Sequence, residues 1–178
     1  MGQKSAAYNA QGAITGFYDS VDSPVPAGVT SVIELTDAQW QTCLGNPGWT
    51  VESGSLVPPV PPTAAQLAAT ALIQSAQAAL AAGVAIESAG TPALNGTYAI
   101  DQLSQMDIIA IETSLNAGKG FPGGATSFNY QDASGAMHAF SESNFTDLAA
   151  AVRDYVYALK SVIAGASTIL PAAAATIA

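Results

Sequence analysis

Between Glu52 and Glu87 no side chain is charged, and within that span the cluster Val57-Pro58-Pro59-Val60-Pro61-Pro62 runs directly into an alanine-rich segment. No other feature constrains the fold as strongly. The prolines hold extended, polyproline-like backbone and form a semi-rigid spacer. The segment after them has high helix propensity. A helix without charges needs a packed surface, supplied by its own domain or by another chain.

The spacing predicts a helix from residue 64, with Thr63 as its N-cap. On it Ala65, Ala69, Leu72, Ala76, Ala79 and Gly83 recur at alternating four- and three-residue steps, and Ile73 and Leu80 widen the stripe. Small residues in a heptad-like seam permit close helix–helix approach. The seam is too short and too poor in Leu for a free-standing coiled coil, so docking within its own domain is the first expectation. The same surface is the candidate for binding a partner. A membrane span is not expected, because Gln66, Thr70, Gln74, Ser75 and Gln77 interrupt the segment and no basic flank marks an inside face.

At 178 residues the chain can hold one ordinary domain or two small ones. Charged residues are 10% of it, against roughly one quarter in soluble domains, so the surface must be largely neutral, as suits a protein living in an assembly. The net charge of −9 sets 13 acids against Lys4, Lys119, Arg153 and Lys160. Four scattered cations make no basic patch, which disfavours nucleic acid and anionic membrane surfaces. Cys43 is the single cysteine, so an intrachain disulfide is excluded. Its apolar neighbours predict a buried, inert thiol. The start Met1-Gly2-Gln3-Lys4-Ser5 lacks the apolar core of a secretory signal, and synthesis in a cytoplasm is expected.

The expected fold class is α+β. Residues 1–57 form a small β-rich domain, 58–63 a proline-rich linker, 64–165 a domain of about three helices with a β-hairpin, and 166–178 an apolar tail. In the first domain Tyr8-Asn9-Ala10-Gln11-Gly12-Ala13-Ile14 reads as strand, turn and strand, continuing to Tyr18. Residues 29–35 give a further strand. Thr36 and Gln39 fit a capping box, with Leu35 and Trp40 as its hydrophobic staple. The short helix they open ends by Asn46-Pro47-Gly48, and residues 51–57 close the domain as a strand.

In the second domain Gly96-Thr97-Tyr98-Ala99-Ile100 reads as a brief strand, and Asp101 as the N-cap of a helix carrying Leu103, Met106, Ile108, Ile109, Ile111 and Leu115. Its apolar residues span much of the circumference, so it is expected at the centre of the core. A hairpin follows around Asp132-Ala133-Ser134-Gly135. Ser143 or Asn144 then caps a third helix over about 145–163, with Leu148, Val152, Tyr155 and Leu159 on one stripe. The uncharged tail is expected to be disordered, or ordered by resting on a partner chain through residues such as Ile169 and Leu170.

No residue set carries catalytic, cofactor or metal chemistry, and the chain is not expected to be an enzyme. His138 is the single histidine, read as a surface residue of the hairpin. Gly118-Lys119-Gly120-Phe121-Pro122-Gly123-Gly124 has Thr113 and Gly120 where a phosphate loop needs Gly and Ser/Thr, so it reads as a flexible connector. The acids Asp19 and Asp22, and Asp101, Asp107 and Glu112, lack the dense ligand spacing of a calcium loop. Tyr8, Phe17, Tyr18, Trp40 and Trp49 can stack sugars, yet core packing accounts for most of them.

Two stretches resemble known proteins. Tyr8-Asn9-Ala10-Gln11-Gly12-Ala13-Ile14 with Glu34-Leu35-Thr36-Asp37-Ala38-Gln39-Trp40 is similar to the start of tail-fibre assembly proteins of tailed bacteriophages, which also run through a closing strand into a proline spacer. Asn95-Gly96-Thr97-Tyr98-Ala99-Ile100-Asp101-Gln102-Leu103-Ser104-Gln105, the hairpin, and Asn144-Phe145-Thr146-Asp147-Leu148 through Tyr155-Val156 resemble a phage tail-associated helical domain of unknown function. Together they cover most of residues 5–163. The resemblance implies a structural part of a phage tail (fibre, tip or baseplate) acting by protein–protein binding, or alternatively a tail-fibre assembly chaperone holding the fibre's distal end. A third reading, host-surface glycan binding, rests on the aromatic residues alone.

The implied partners are other tail or fibre proteins and a homo-oligomer, a trimer in particular. The implied location is the virion tail after synthesis in the bacterial host. The candidate partner-binding residues are Ala65, Ala69, Leu72, Ala76, Ala79, Ile169 and Leu170. Members of these families carry more charge in their helices, and the missing charge here favours permanent burial in a particle over transient chaperoning.

Overall fold

The computed structural model describes residues 2–178, a mixed α+β chain that divides into two compact units, Met1–Pro62 and Thr63–Ala178.

The first unit is built on β1 (Lys4–Tyr8), β2 (Ile14–Asp19) and β3 (Val32–Leu35), an antiparallel sheet in the order β2-β1-β3. Central β1 is buried over Ser5, Ala6 and Ala7, whose small side chains let covering elements approach closely. A register shift between Ala7 and Tyr8 precedes the turn. There Gly12 has φ +80°, and a Cβ at this position would stand 2.3 Å from the Val51 carbonyl oxygen. Only glycine meets both demands.

Helix α1 (Asp37–Gly45) opens with a reciprocal capping box, Thr36 Oγ1 accepting from the Gln39 amide while Gln39 Oε1 accepts from the Thr36 amide. Leu35, one half of the expected staple, is buried, while Trp40 meets Phe17 edge-on with ring centroids 5.3 Å apart. The span expected as one closing strand is a hairpin, β4 (Thr50–Glu52) and β5 (Ser55–Val57). Its two-residue turn has positive φ at both Ser53 and Gly54, the pattern that matches strand twist.

The second unit begins with α2 (Ala64–Ala82), capped by the Thr63–Gln66 box. Gly83 (φ +89°) turns the chain sharply into β6 (Val84–Ser88); a Cβ there would lie 2.5 Å from the Tyr98 carbonyl oxygen. Then come β7 (Gly96–Tyr98), α3 (Gln102–Asn116), the hairpin β8 (Phe128–Gln131) and β9 (Met137–Phe140), α4 (Glu142–Ile163) and β10 (Ala174–Ile177). The main sheet has the order β10-β6-β7, with β10 parallel and β7 antiparallel to β6.

Three expectations are corrected here. The central helix is α4, which buries Phe145, Leu148, Val152, Tyr155, Leu159 and Val162 among others and packs on α2, α3 and β10. By contrast α3 buries only Ile108 fully. Its apolar residues point in several directions, and the fold covers one of them. The second correction concerns the tail, which rests on its own chain: β10 pairs with β6, and Ala178 O accepts from Ser88 Oγ at 2.8 Å and Asn144 Nδ2 at 3.2 Å. The third is the cap of α4, which is Ser141 and not Ser143 or Asn144.

An aromatic cluster ties the hairpin to α4. Phe145 is approached edge-on by Phe121, Phe128, Tyr130 and Phe140 at 5.6–6.1 Å between centroids. Phe121 anchors the glycine-rich connector in the core, so that segment is pinned at its centre and not free along its length.

Candidate functional site

The seven residues singled out as a partner surface do not form one surface. Ala76 is fully buried in the core of the second unit, and Leu72 and Ala79 are partly covered by it. This half of the stripe docks α2 within its own unit. Ala65 and Ala69 lie on the exposed first two turns, where every residue from 64 to 71 is exposed. Ile169 and Leu170 are exposed on the segment that leads into β10. The periodicity located the helix's packing face correctly and overstated its length.

Further bare apolar residues lie on α3 and α4. Leu103, Met106 and Ile109, at three-residue steps along α3, are 73%, 58% and 57% exposed, and Tyr157 on α4 is 74% exposed. Successive residues at this spacing adjoin on a helix surface, and the row winds about 120° around α3 from Leu103 to Ile109. Ile109 and Tyr157 border a groove of about 320 Å³ between α3 and α4. Ile108, Ala149, Val152 and Val156 contribute its apolar lining, and Glu112, Arg153 and Lys160 its charges. Arg153 Nε donates to Asp154 Oδ1 at 2.9 Å, and Asp154 and then Glu112 raise the guanidinium pKa further. Both partners of that pair are well exposed, so its geometry says more about orientation than about stability. Sequence reading missed this face because apolar residues around a helix look the same whether they are bound for a core or left bare.

His138 is not the free surface histidine expected of the hairpin. Its Nδ1 lies 2.6 Å from the Ala93 carbonyl oxygen and its Nε2 3.2 Å from Asp132 Oδ2, with the ring tilted on Tyr98. Both partners accept, and a neutral imidazole can donate to only one of them. Asp132 also accepts from Ser134 Oγ and from the Ser134 and Ala136 amides. Ser134 first, then His138 and those amides, hold its carboxyl at about 2 against an ordinary 3.8, with burial opposing. Tyr98 donates its hydroxyl to Leu94 O at 2.7 Å, and burial pushes its pKa up. The polar groups of this cluster all face partners within the fold, which makes it a clamp between the hairpin and the β6–β7 sheet.

In the first unit Lys4 and Asp19 form an ion pair beside Trp40, with Lys4 Nζ 5.1 Å from the indole ring centre. Asp19 also accepts from the Val21 and Asp22 amides, and Lys4 with these amides holds its carboxyl at about 2. Cys43 is buried, and burial raises its thiol pKa. Trp49 Nε1 is buried without a hydrogen-bond partner among the described residues. Among those residues no group of three or more His, Cys, Asp or Glu side chains is placed to hold a metal, and no helix is long and apolar enough to cross a membrane.

What the second unit offers a second molecule is therefore the groove between α3 and α4, bordered by exposed Ile109 and Tyr157, with Met106 and Leu103 bare further round α3. No family model, no curated protein and no solved structure matches this chain.

Proposed function

We propose that this chain is a structural component of a bacteriophage tail (fibre, tip or baseplate) that acts by binding other proteins and not by catalysis. The observation that carries the reading is the groove between α3 and α4, bordered by exposed Ile109 and Tyr157, with Met106 and Leu103 also bare on α3. Several large apolar side chains left bare around a groove favour an interaction role on a folded protein. The uncharged α2, with two bare turns after a proline spacer, adds a second surface suited to burial. The resemblance read in the sequence over most of residues 5–163, the first half to tail-fibre assembly proteins and the second to a phage tail-associated helical domain, suggests the setting.

On this reading the chain is made in the host cytoplasm and ends in the virion tail, with other tail or fibre proteins as partners. Quantitative mass spectrometry of purified particles of the encoding phage tests it. Stoichiometric presence in mature virions is the expected result. Detection in infected cells but not in particles sinks the structural role and favours the assembly chaperone.

A further inference from the structure

β10 is an edge strand whose outer side is open. In its parallel pair with β6 the amides of Ala85 and Ala89 donate to Ala173 O and Ile177 O. Alternate residues of a strand turn their backbone groups to opposite sides, so Ala174 and Thr176 turn theirs away from β6, where no strand lies. Sheets commonly guard such an edge with a charge, a proline or a bulge. Ala174–Ile177 carries no charge and no proline, and it pairs with β6 without a register shift.

A groove of about 550 Å³ follows this strand. One wall is the segment 171–178. The other is a single face of α4, with Asp147, Ala151, Asp154 and Ala158 at four- and three-residue steps. No residue of β6 lines the groove, so it runs along the free side of β10. Two polar groups in it are idle. Tyr155 is 6% exposed, yet its hydroxyl has no hydrogen-bond partner among the described residues. The half-buried Asp147 carboxylate has neither a hydrogen bond nor an ion pair among them. Asp154 is engaged by Arg153, and no base lines the groove, which leaves Asp147 as its unanswered charge.

We infer that this groove docks an extended segment of another protein, which adds to the free edge of β10, pairs with the backbone of Ala174 and Thr176, and sets a lysine or arginine against Asp147. Strand addition of this kind takes its affinity from main-chain hydrogen bonds and its specificity from alternate side chains. The inward side chains of the added strand lie over Ala150, Ala151 and Ala158, whose small size leaves the room, and an acceptor among them meets the Tyr155 hydroxyl. A second copy of this chain is the wrong occupant. Its own β10 carries no base, and pairing two copies here would set the acids of one groove beside those of the other. The site is separate from the α3–α4 groove and does not depend on the tail role.

The test is nitrogen–proton NMR of the full chain, titrated to about 2 mM, which covers weak docking. The probe is a short acetylated and amidated peptide of alternating threonine and valine around one lysine. Shifts are expected at the Ala174 and Thr176 amides and along residues 150–158. A glutamate in place of the lysine weakens binding roughly tenfold. Methylating the peptide amides that face the strand removes binding, because the main-chain bonds are lost. Asp147→Asn abolishes the preference for lysine over glutamate while helical circular dichroism stays unchanged. No shift over the range, shifts confined to the α3–α4 groove, undiminished binding of the methylated peptide, or a lysine preference that survives Asp147→Asn overturns the inference. So does concentration-dependent broadening of the same amides without peptide, which would make a second copy the occupant. Absence from virions bears on the tail role and leaves this site standing.

Discussion

His138 and Asp132, six residues apart on the second hairpin, meet at 3.2 Å through Nε2, and the other ring nitrogen, Nδ1, lies 2.6 Å from the carbonyl oxygen of Ala93. One ring thereby links the hairpin turn to the segment between β6 and β7. Replacing it removes both links and bares the edge of Tyr98. We expect His138→Ala to destabilise the second unit by about 1–2 kcal/mol, the scale of one hydrogen bond together with the lost ring packing on Tyr98. Urea titration followed by helical circular dichroism checks this; a midpoint unchanged from wild type would show the clamp to be ornamental.

The acid limb of stability should involve Asp19 in the first unit. Its folded pKa of about 2 lies below the ordinary 3.8, so the stability it contributes is complete above about pH 4 and is lost as pH falls toward 2. Both tryptophans, Trp40 and Trp49, belong to this unit, so indole fluorescence reports it alone. We expect a fluorescence transition in that window, and a shallower acid dependence in Asp19→Asn, which keeps the shape but not the charge. An identical profile in the variant would count against the Lys4–Asp19 pair.

Cys43 provides an independent view of the same unit. It is 4% exposed, and burial raises its thiol pKa, so little reactive thiolate reaches a reagent in the folded state. Labelling by a disulfide reagent at pH 8 should be slow in buffer and complete within minutes in denaturant. Fast labelling in buffer would mean that α1 opens readily.

The junction between α2 and β6 depends on Gly83. Its φ of +89° disfavours any side chain, and an added Cβ would stand 2.5 Å from the Tyr98 carbonyl oxygen. Gly83→Ala should cost about 2 kcal/mol or more, since backbone strain and a backbone clash coincide. A melting temperature lower by several degrees, roughly 2–8 °C per kcal/mol in domains of this size range, is the expected readout. Gly54→Ala, with nothing within 4 Å of its Cβ, isolates the backbone contribution, though it sits in the other unit.

Ser88 fastens the last strand. Its hydroxyl donates to Ala178 O and accepts from the Thr91 amide, while its own amide donates to Asn95 Oδ1. Ser88→Ala removes the first two of these. Hydrogen exchange at the Ala89 amide, which donates to Ile177 O, should speed up markedly, while exchange within α4 stays near wild type. Uniform acceleration across the unit would instead place β10 inside the global folding step.

Much of this fold was legible because its signals are local. Thr36 with Gln39 announces the start of α1, the alanine-rich run after Pro62 announces α2, and Asp132-Ala133-Ser134-Gly135 announces the β8–β9 turn; each involves residues a few positions apart. The misses are long-range. Val84–Ser88 follows α2 with only Gly83 between, too short a gap to stand out, and its parallel partner Ala174–Ile177 is remote in sequence and rich in alanine. The α3–α4 face was invisible for a similar reason: which side of an all-round apolar helix is covered depends on where α4 lands. Within the candidate partner stripe, Ala76 and Ala69 look alike in sequence, and only the position of α4 decides that one is buried and the other bare.

The pairing of β6 with β10 also sets a timetable for synthesis. The first unit pairs Lys4 with Leu35 and can close soon after its residues leave the ribosome, whereas Ser88 must wait for Ile177. During translation the chain therefore passes through a stage with one finished unit and one whose sheet has an open flank along Val84–Ser88. Limited proteolysis of ribosome-stalled chains ending near residue 165 should find the first unit resistant and the second cut, and a fully protected second unit at that length would rule out this order of events.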